Sequence, residues 1–209
     1  MIIAALQKTT LIDYPGKIAC MIFTQGCNYD CFYCHNRTLI KKRCVKPMDF
    51  LYVHRFLKDR SALLEGIVVS GGEPTIHTDL PDFLESMKAL GYCVKLDTNG
   101  SNPAMLARLL DDRIVDYVAL DVKAPWEKYA EICSPAADCR LVSESLRILT
   151  HSTVAWEART TLCPTLTQED LKAIGSYIPP SVVWRKNKYR MPLVYKKEDS
   201  VRIHQDSLM

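Results

Sequence analysis

Three cysteines stand within eight residues, Cys27, Cys31 and Cys34, in the run Gly26-Cys27-Asn28-Tyr29-Asp30-Cys31-Phe32-Tyr33-Cys34-His35-Asn36. Thiolates are soft ligands, suited to zinc or to iron–sulfur clusters. A [4Fe–4S] cubane has one more iron than this motif has thiolates, so one iron stays open. The amine and carboxylate of an amino acid can chelate that open iron. S-adenosylmethionine carries this pair beside a sulfonium that an electron from the cluster can cleave. Structural zinc is the other reading. It wants a fourth ligand, drawn from His35, Cys20 or Cys44, and the second Cys-x2-Cys pair usual in zinc knuckles is missing.

Four further motifs bear groups that could serve such a ligand. In Ser70-Gly71-Gly72-Glu73-Pro74 two glycines let the backbone approach a ligand and leave carbonyls to accept from an ammonium. The bland reading is a tight turn before a helix. Asp97-Thr98-Asn99-Gly100 and Asp121-Val122-Lys123 each place a carboxylate where it could simply cap the next element. Together, with Lys123 beside them, they could hold a small cation and a carboxylate. Arg159, inside Glu157-Ala158-Arg159-Thr160-Thr161, is costly to bury unpaired, so it points outward or meets a charged ligand.

These motifs need a scaffold, and the hydrophobic patterning supplies one. Apolar runs at 18–23, 67–69, 92–97, 115–121 and 154–162 read as strands, with a sixth beginning at 181–184. Helical patterns alternate with them. Phe50, Val53 and Leu57 share one face after Pro47. Leu80, Phe83, Leu84, Met87 and Leu90 follow a cap at Thr78 or Asp79 and stop at Gly91. Asn102 caps and Pro103 opens the next helix. Residues 143–149 are helical, and Thr167 with Asp170 forms a capping box. Strand and helix alternating in this way make right-handed βα units and a parallel sheet, an α/β fold of partial (β/α)6 TIM-like barrel type. The cysteine loop and the motifs at 70–74, 97–100 and 121–123 then follow strands at their C-terminal ends, where chemistry gathers in such folds, and Arg159 lies on the fifth strand.

Composition sets the bounds. With 209 residues, 48% hydrophobic and 24% charged, the chain is expected to be soluble and globular. A barrel domain is expected over 1–184 and a basic tail over 185–209. No apolar run approaches the ~18 residues of a transmembrane helix. The apolar start, 1–6, is cut short by Gln7, Lys8 and Thr9 and is no signal peptide. A cytoplasmic protein is expected, where clustered cysteines serve as ligands in preference to disulfides. Of the nine cysteines, Cys20 and Cys93 sit in strand patterns as small core residues. Cys44, Cys133, Cys139 and Cys163 form no quartet, so one cluster is expected. From Trp184 onward seven Lys/Arg face three acids, +4 against −1 for the rest. No aromatic stacking platform accompanies this tail, so nucleic acid is not the expected partner.

Cys-x3-Cys-x2-Cys with aromatic Tyr33 before the last cysteine resembles the radical S-adenosylmethionine enzymes. The runs 12–17 (Ile-Asp-Tyr-Pro-Gly-Lys), Thr24-Gln25-Gly26-Cys27 and Cys34-His35-Asn36 resemble those of the glycyl-radical-enzyme activases. The likeness is strongest to the longer type of anaerobic ribonucleotide reductase activating protein. The chain is similar also to pyruvate formate-lyase activating enzyme. The resemblance spans roughly 11–176. It implies that Cys27, Cys31 and Cys34 hold a [4Fe–4S] cluster, and that Tyr33, Gly71, Gly72, Glu73, Asp97, Thr98, Asn99, Asp121, Lys123 and Arg159 line the S-adenosylmethionine site. The Gly-Gly-Glu motif would take the methionine amine, and Lys123 would lie near its carboxylate. Arg159 would lie near its ribose and carboxylate. Asp97, Thr98 and Asp121 would form a monovalent cation site. The activity implied is reductive cleavage to a 5′-deoxyadenosyl radical, which removes a hydrogen atom from a backbone glycine of a partner enzyme. That partner is a glycyl radical enzyme such as anaerobic ribonucleotide reductase, with flavodoxin or ferredoxin as electron donor. A radical enzyme of the same fold acting on a small molecule, or a non-catalytic electron-transfer module, is the alternative. The sequence departs from the activase pattern after Ser176 and over 124–140.

Overall fold

The computed structural model describes residues 1–40 and 46–199. Cys44, named above as a zinc ligand, and Arg202 and Asp206 of the tail lie outside them. One sheet holds strands β1 (Ile3–Thr10), β2 (Ala19–Thr24), β3 (Gly66–Gly71), β4 (Cys93–Thr98), β5 (Tyr117–Asp121), β6 (Ala155–Leu162) and β7 (Val183–Lys188) in chain order. Strands β2 to β7 are parallel. The helices are α1 (Arg37–Ile40), α2 (Phe50–Arg60), α3 (Leu80–Ala89), α4 (Pro103–Asp111), α5 (Tyr129–Ile132), α6 (Cys139–His151) and α7 (Gln168–Tyr177). Among the described residues no helix is long and apolar enough to cross a membrane.

The six strands expected from the patterning are the parallel ones. The N-terminus departs from expectation: the short apolar run ended by Gln7 is a strand. β1 runs antiparallel to β2, with Ile3 opposite Thr24 and Thr10 opposite Ala19. As an edge strand it exposes Gln7, Lys8 and Thr9 to solvent, so its polar residues do not argue against it. At the other edge, β7 runs across the boundary placed between 184 and 185.

Local chemistry sets the helix ends. The Asn102 side chain accepts from Met105 N–H, and Thr167 and Asp170 cap reciprocally. Gly91 ends the turn after α3 at φ +89°, which an L side chain would resist. Outside the sheet, Ile22, Val69, Leu96 and Leu120 meet Leu57, Leu84, Leu109 and Leu149 of the helices, all fully buried. Each such side chain contributes roughly 1.5–3 kcal/mol of transfer free energy. Inside the sheet, Tyr14 packs with Ala19, Met21 and Val68. Its ring also approaches Tyr117, at 6.0 Å between centroids. Because Ala19 and Tyr117 begin their strands, Tyr14 closes the N-terminal end of the barrel. The chemistry is left to the other end.

Candidate active site

At the C-terminal strand ends lies one cavity of about 370 Å³. Every site residue named from the sequence lines it, from Cys27 after β2 to Arg159 on β6.

The cysteine loop hangs between β2 and α1. Gly26 N–H donates to the Leu39 carbonyl at 2.7 Å, and the Asp30 and Phe32 amides donate to the carbonyls of Cys133 and Ile132. Asn99 joins in, its side-chain amide donating to Asn28 Oδ1 at 3.0 Å, while Asn28 donates to Ser101. Burial pushes the Cys27 thiol up to about 12 and raises that of Cys34. Cys31 moves the other way. A hydrogen bond with the Cys133 thiol lowers it against burial, and the Lys123 ammonium helps. Cys133 therefore belongs to the neighbourhood of the site, which its place in the sequence did not reveal.

Gly71 and Gly72 serve packing before they serve a ligand. A Cβ on Gly72 would stand 2.0 Å from the Gly26 carbonyl oxygen, and one on Gly71, at φ +116°, 2.3 Å from Thr24 N. Gly72 N–H donates to Thr24 and Glu73 N–H to Gly26. The β3 loop is thus laid backbone to backbone on the cysteine loop, with no room for side chains. Glu73 is 1% exposed. It accepts from Thr75 N–H and Oγ1, from Thr98 Oγ1 and from Asn99 N–H, at 2.6–3.1 Å. Burial raises its pKa, opposed by these donors. Its carboxylate ties the β3 loop to the end of β4.

A charged belt crosses the barrel beneath the mouth. Arg159 donates from Nη1 to Asp97 Oδ2 at 3.0 Å and from Nε to Asp121 Oδ1 at 3.1 Å. Lys123 Nζ meets Asp121 Oδ2 at 2.8 Å, and Lys95 Nζ meets Asp97 Oδ1 at 2.5 Å. Burial would raise the Asp121 carboxyl, but Lys123 and Arg159 outweigh it and hold the group at about 2. Burial likewise works against the charged forms of Arg159 and Lys123, and both are nonetheless held up, Arg159 by Asp97 and Asp121, Lys123 by Asp121. Each oxygen of the two aspartates already takes a Lys or Arg nitrogen. The two carboxylates expected to hold a monovalent cation with Thr98 are thus engaged by the belt, and the Thr98 hydroxyl donates to Glu73. Lys95 was missed in the sequence, although a lysine in an apolar strand carries the same signal as Arg159. Tyr129, whose hydroxyl accepts from Lys123 N–H at 3.0 Å, gave no signal.

The profile of the Radical SAM superfamily matches residues 21–178, most of the chain. The chain belongs to the radical SAM superfamily. A relative from Methanocaldococcus jannaschii, provisionally named a glycyl-radical enzyme activating enzyme, is 29% identical over 94% of this chain and 83% of its own length. The 7-carboxy-7-deazaguanine synthase of Neisseria meningitidis is 41% identical over 37% of this chain and 34% of its own. Among solved structures, native anSMEcpe with bound AdoMet superposes with a TM-score of 0.64 at 19% identity, over 83% of this chain and 51% of that one. This radical SAM chain therefore spans about half of that structure's chain and about a third of the synthase.

Membership implies a [4Fe–4S] cluster and S-adenosylmethionine, and the residues present fit both. Three thiols of one loop face one cavity. Among the described residues no three His, Cys, Asp or Glu side chains converge as one metal ion would require. A cubane makes no such demand, since each thiolate takes its own iron. The hydroxyls of Tyr29 and Tyr33, both lining the cavity, are buried without a partner among the described residues. A polar ligand would satisfy them.

Proposed function

We propose that this chain is a glycyl-radical-enzyme activase. In this reading Cys27, Cys31 and Cys34 hold the cluster and the belt of Lys123, Asp121, Arg159 and Asp97 receives S-adenosylmethionine. When bound, the cluster and S-adenosylmethionine supply one-electron cleavage of the sulfonium and a carbon radical able to take a hydrogen atom. The chain's own residues orient and exclude. Lys123, with ammonium donors to spare beyond Asp121, faces the ligand carboxylate. Arg159 is held in place by two aspartates and presents its remaining N–H groups to the ligand's polar edge. The Tyr29 and Tyr33 hydroxyls donate to whatever fills the space beneath them, and carbonyls of the Gly71–Gly72 turn accept from the amine. Glu73 keeps that turn and Asn99 in register. Thr98, whose hydroxyl donates to Glu73, joins Asp97 and Asp121 as the place for a monovalent cation.

The observation that carries the reading is that three thiols, one ammonium and two hydroxyls without a partner among the described residues share a single cavity open to solvent. An open mouth suits a peptide loop of a partner enzyme, and the relative that matches nearly the whole chain bears an activase name. The partner is assigned as a glycyl radical enzyme of the anaerobic ribonucleotide reductase kind, with flavodoxin or ferredoxin as electron donor. The test is anaerobic: reconstitute with iron and sulfide, reduce, add S-adenosylmethionine, and assay 5′-deoxyadenosine and a glycyl radical on the supplied partner. Both products support the proposal. 5′-Deoxyadenosine with no partner radical turns the reading toward a small-molecule substrate, the class that the deazaguanine synthase likeness represents. A cluster that forms without 5′-deoxyadenosine points to electron transfer.

A further inference from the structure

Arg37 begins α1, directly after the cysteine motif. Its side chain is 10% exposed. Nη1 meets Asp30 Oδ1 at 2.5 Å, and Nη2 donates to the Cys31 carbonyl at 2.8 Å. The same carbonyl accepts from Cys34 N–H at 3.0 Å. One guanidinium thus grips the loop at the central cysteine and at the residue before it. The planar fork of arginine can do this where lysine, a point donor, cannot.

The grip is closed from outside. Asp30 Oδ2 takes Lys196 Nζ at 2.6 Å, and Asp199 Oδ2 stands 3.9 Å from Arg37 Nη2. Burial would raise the Asp30 carboxyl, yet Lys196 and Arg37 together hold it below the usual range. Lys196 and Asp199 lie beyond β7, the opposite edge strand of the open barrel from the β1–β2 side. The chain therefore returns from its last strand to the loop that follows β2. Arg37 and Lys196 balance Asp30 and Asp199, so the contact is electrically self-sufficient. At these positions the basic tail has an internal partner.

We propose that Arg37 is a positioning residue for the cluster, and that the segment 189–199 is a strap that locks it. This rests on the cluster reading above. Backbone bonds from Gly26, Asp30 and Phe32 anchor the loop to its neighbours, and Arg37 adds the side-chain grip at the carbonyl of the central cysteine. If Arg37 lets go of Asp30 and Cys31, the thiols separate and the cluster is released sooner. The strap acts through Asp30, and its exposed ion pair makes the lock sensitive to salt.

The experiment uses the full chain, wild type, Arg37→Ala, Arg37→Lys and Lys196→Ala, each checked for folding by thermal melting. After anaerobic reconstitution, iron is counted and the decay of the cluster's visible absorbance is followed with an iron chelator present. Arg37→Ala should lose the cluster about 10-fold faster, the usual penalty for removing a group that orients a metal ligand. Arg37→Lys should fall between it and wild type. Lys196→Ala, which breaks a half-exposed pair, should be about 2–5-fold faster. Raising salt to about 1 M should bring wild type toward the Lys196→Ala rate. Equal decay in wild type and in the folded variants, unmoved by salt, overturns the strap and leaves the cluster reading standing. Wild type that holds no cluster overturns both. Should Arg37→Ala fail to fold, Lys196→Ala and the salt series still decide.

Discussion

Gly72 lies against Gly26 so closely that a Cβ on the first would stand 2.0 Å from the carbonyl oxygen of the second. Neither atom belongs to a flexible side chain, so nothing nearby can yield without moving the cysteine loop. Gly72→Ala should destabilise the fold by about 3 kcal/mol and lower the iron bound on reconstitution. Thermal melting and iron analysis on the same sample check this. An alanine variant with normal stability and full iron would mean that the two loops are not packed as described.

Cys31→Ala should abolish the cluster, whereas Cys93→Ala should leave it intact. Cys93 starts β4 and packs beside Tyr14 and Met21 at the closed end of the barrel, far along the strand from the mouth. Iron and sulfide content with the visible spectrum decide between them. Unchanged iron in Cys31→Ala would refute the ligand assignment.

Lys123→Met should leave cluster content unchanged and weaken S-adenosylmethionine binding. Losing one charge-assisted contact to a carboxylate costs on the order of 1.5–3 kcal/mol, or about 10- to 150-fold in Kd. Equilibrium binding to the reconstituted protein is the measurement. An unaltered Kd would take Lys123 out of the site.

Asp121 sets a pH dependence. Its folded pKa, about 2, lies below the ordinary carboxyl value near 3.9. A depressed carboxylate contributes stability that is complete above the unfolded value and is lost as pH falls through the folded one. Asp121→Asn should therefore melt lower than wild type at pH 7. The gap should narrow below about pH 4, where the unfolded carboxyl takes up its proton. Melting curves from about pH 7 to pH 3 check it; a gap that widens toward acid would contradict the sign.

Glu73→Gln tests the tie between β3 and β4. Four donors meet its two oxygens, and a glutamine amide would turn N–H groups toward some of them. The buried mismatch should cost about 1–3 kcal/mol. It should appear as a lower melting temperature even in the apoprotein. No change in melting would place the role of Glu73 wholly in ligand binding.

The cysteine spacing, the period of the hydrophobic runs and the caps at Asn102 and Thr167 are local properties, so the sequence alone determined the superfamily signature, the parallel strands and the residues at their ends. It placed the ligand loop after a strand and the acids after the next ones, because side chains at a strand terminus need no distant partner to be located. Three things needed the tertiary structure. β1 was hidden because an edge strand may expose polar residues, and only pairing with β2 reveals it. The belt was hidden because Arg159 and Lys95 are read singly in sequence, while their charges are balanced by aspartates on neighbouring strands. The link from Lys196 through Asp30 to Arg37 joins residues more than a hundred positions apart, and proximity of that kind is fixed by the closure of the sheet and by no local preference of the chain.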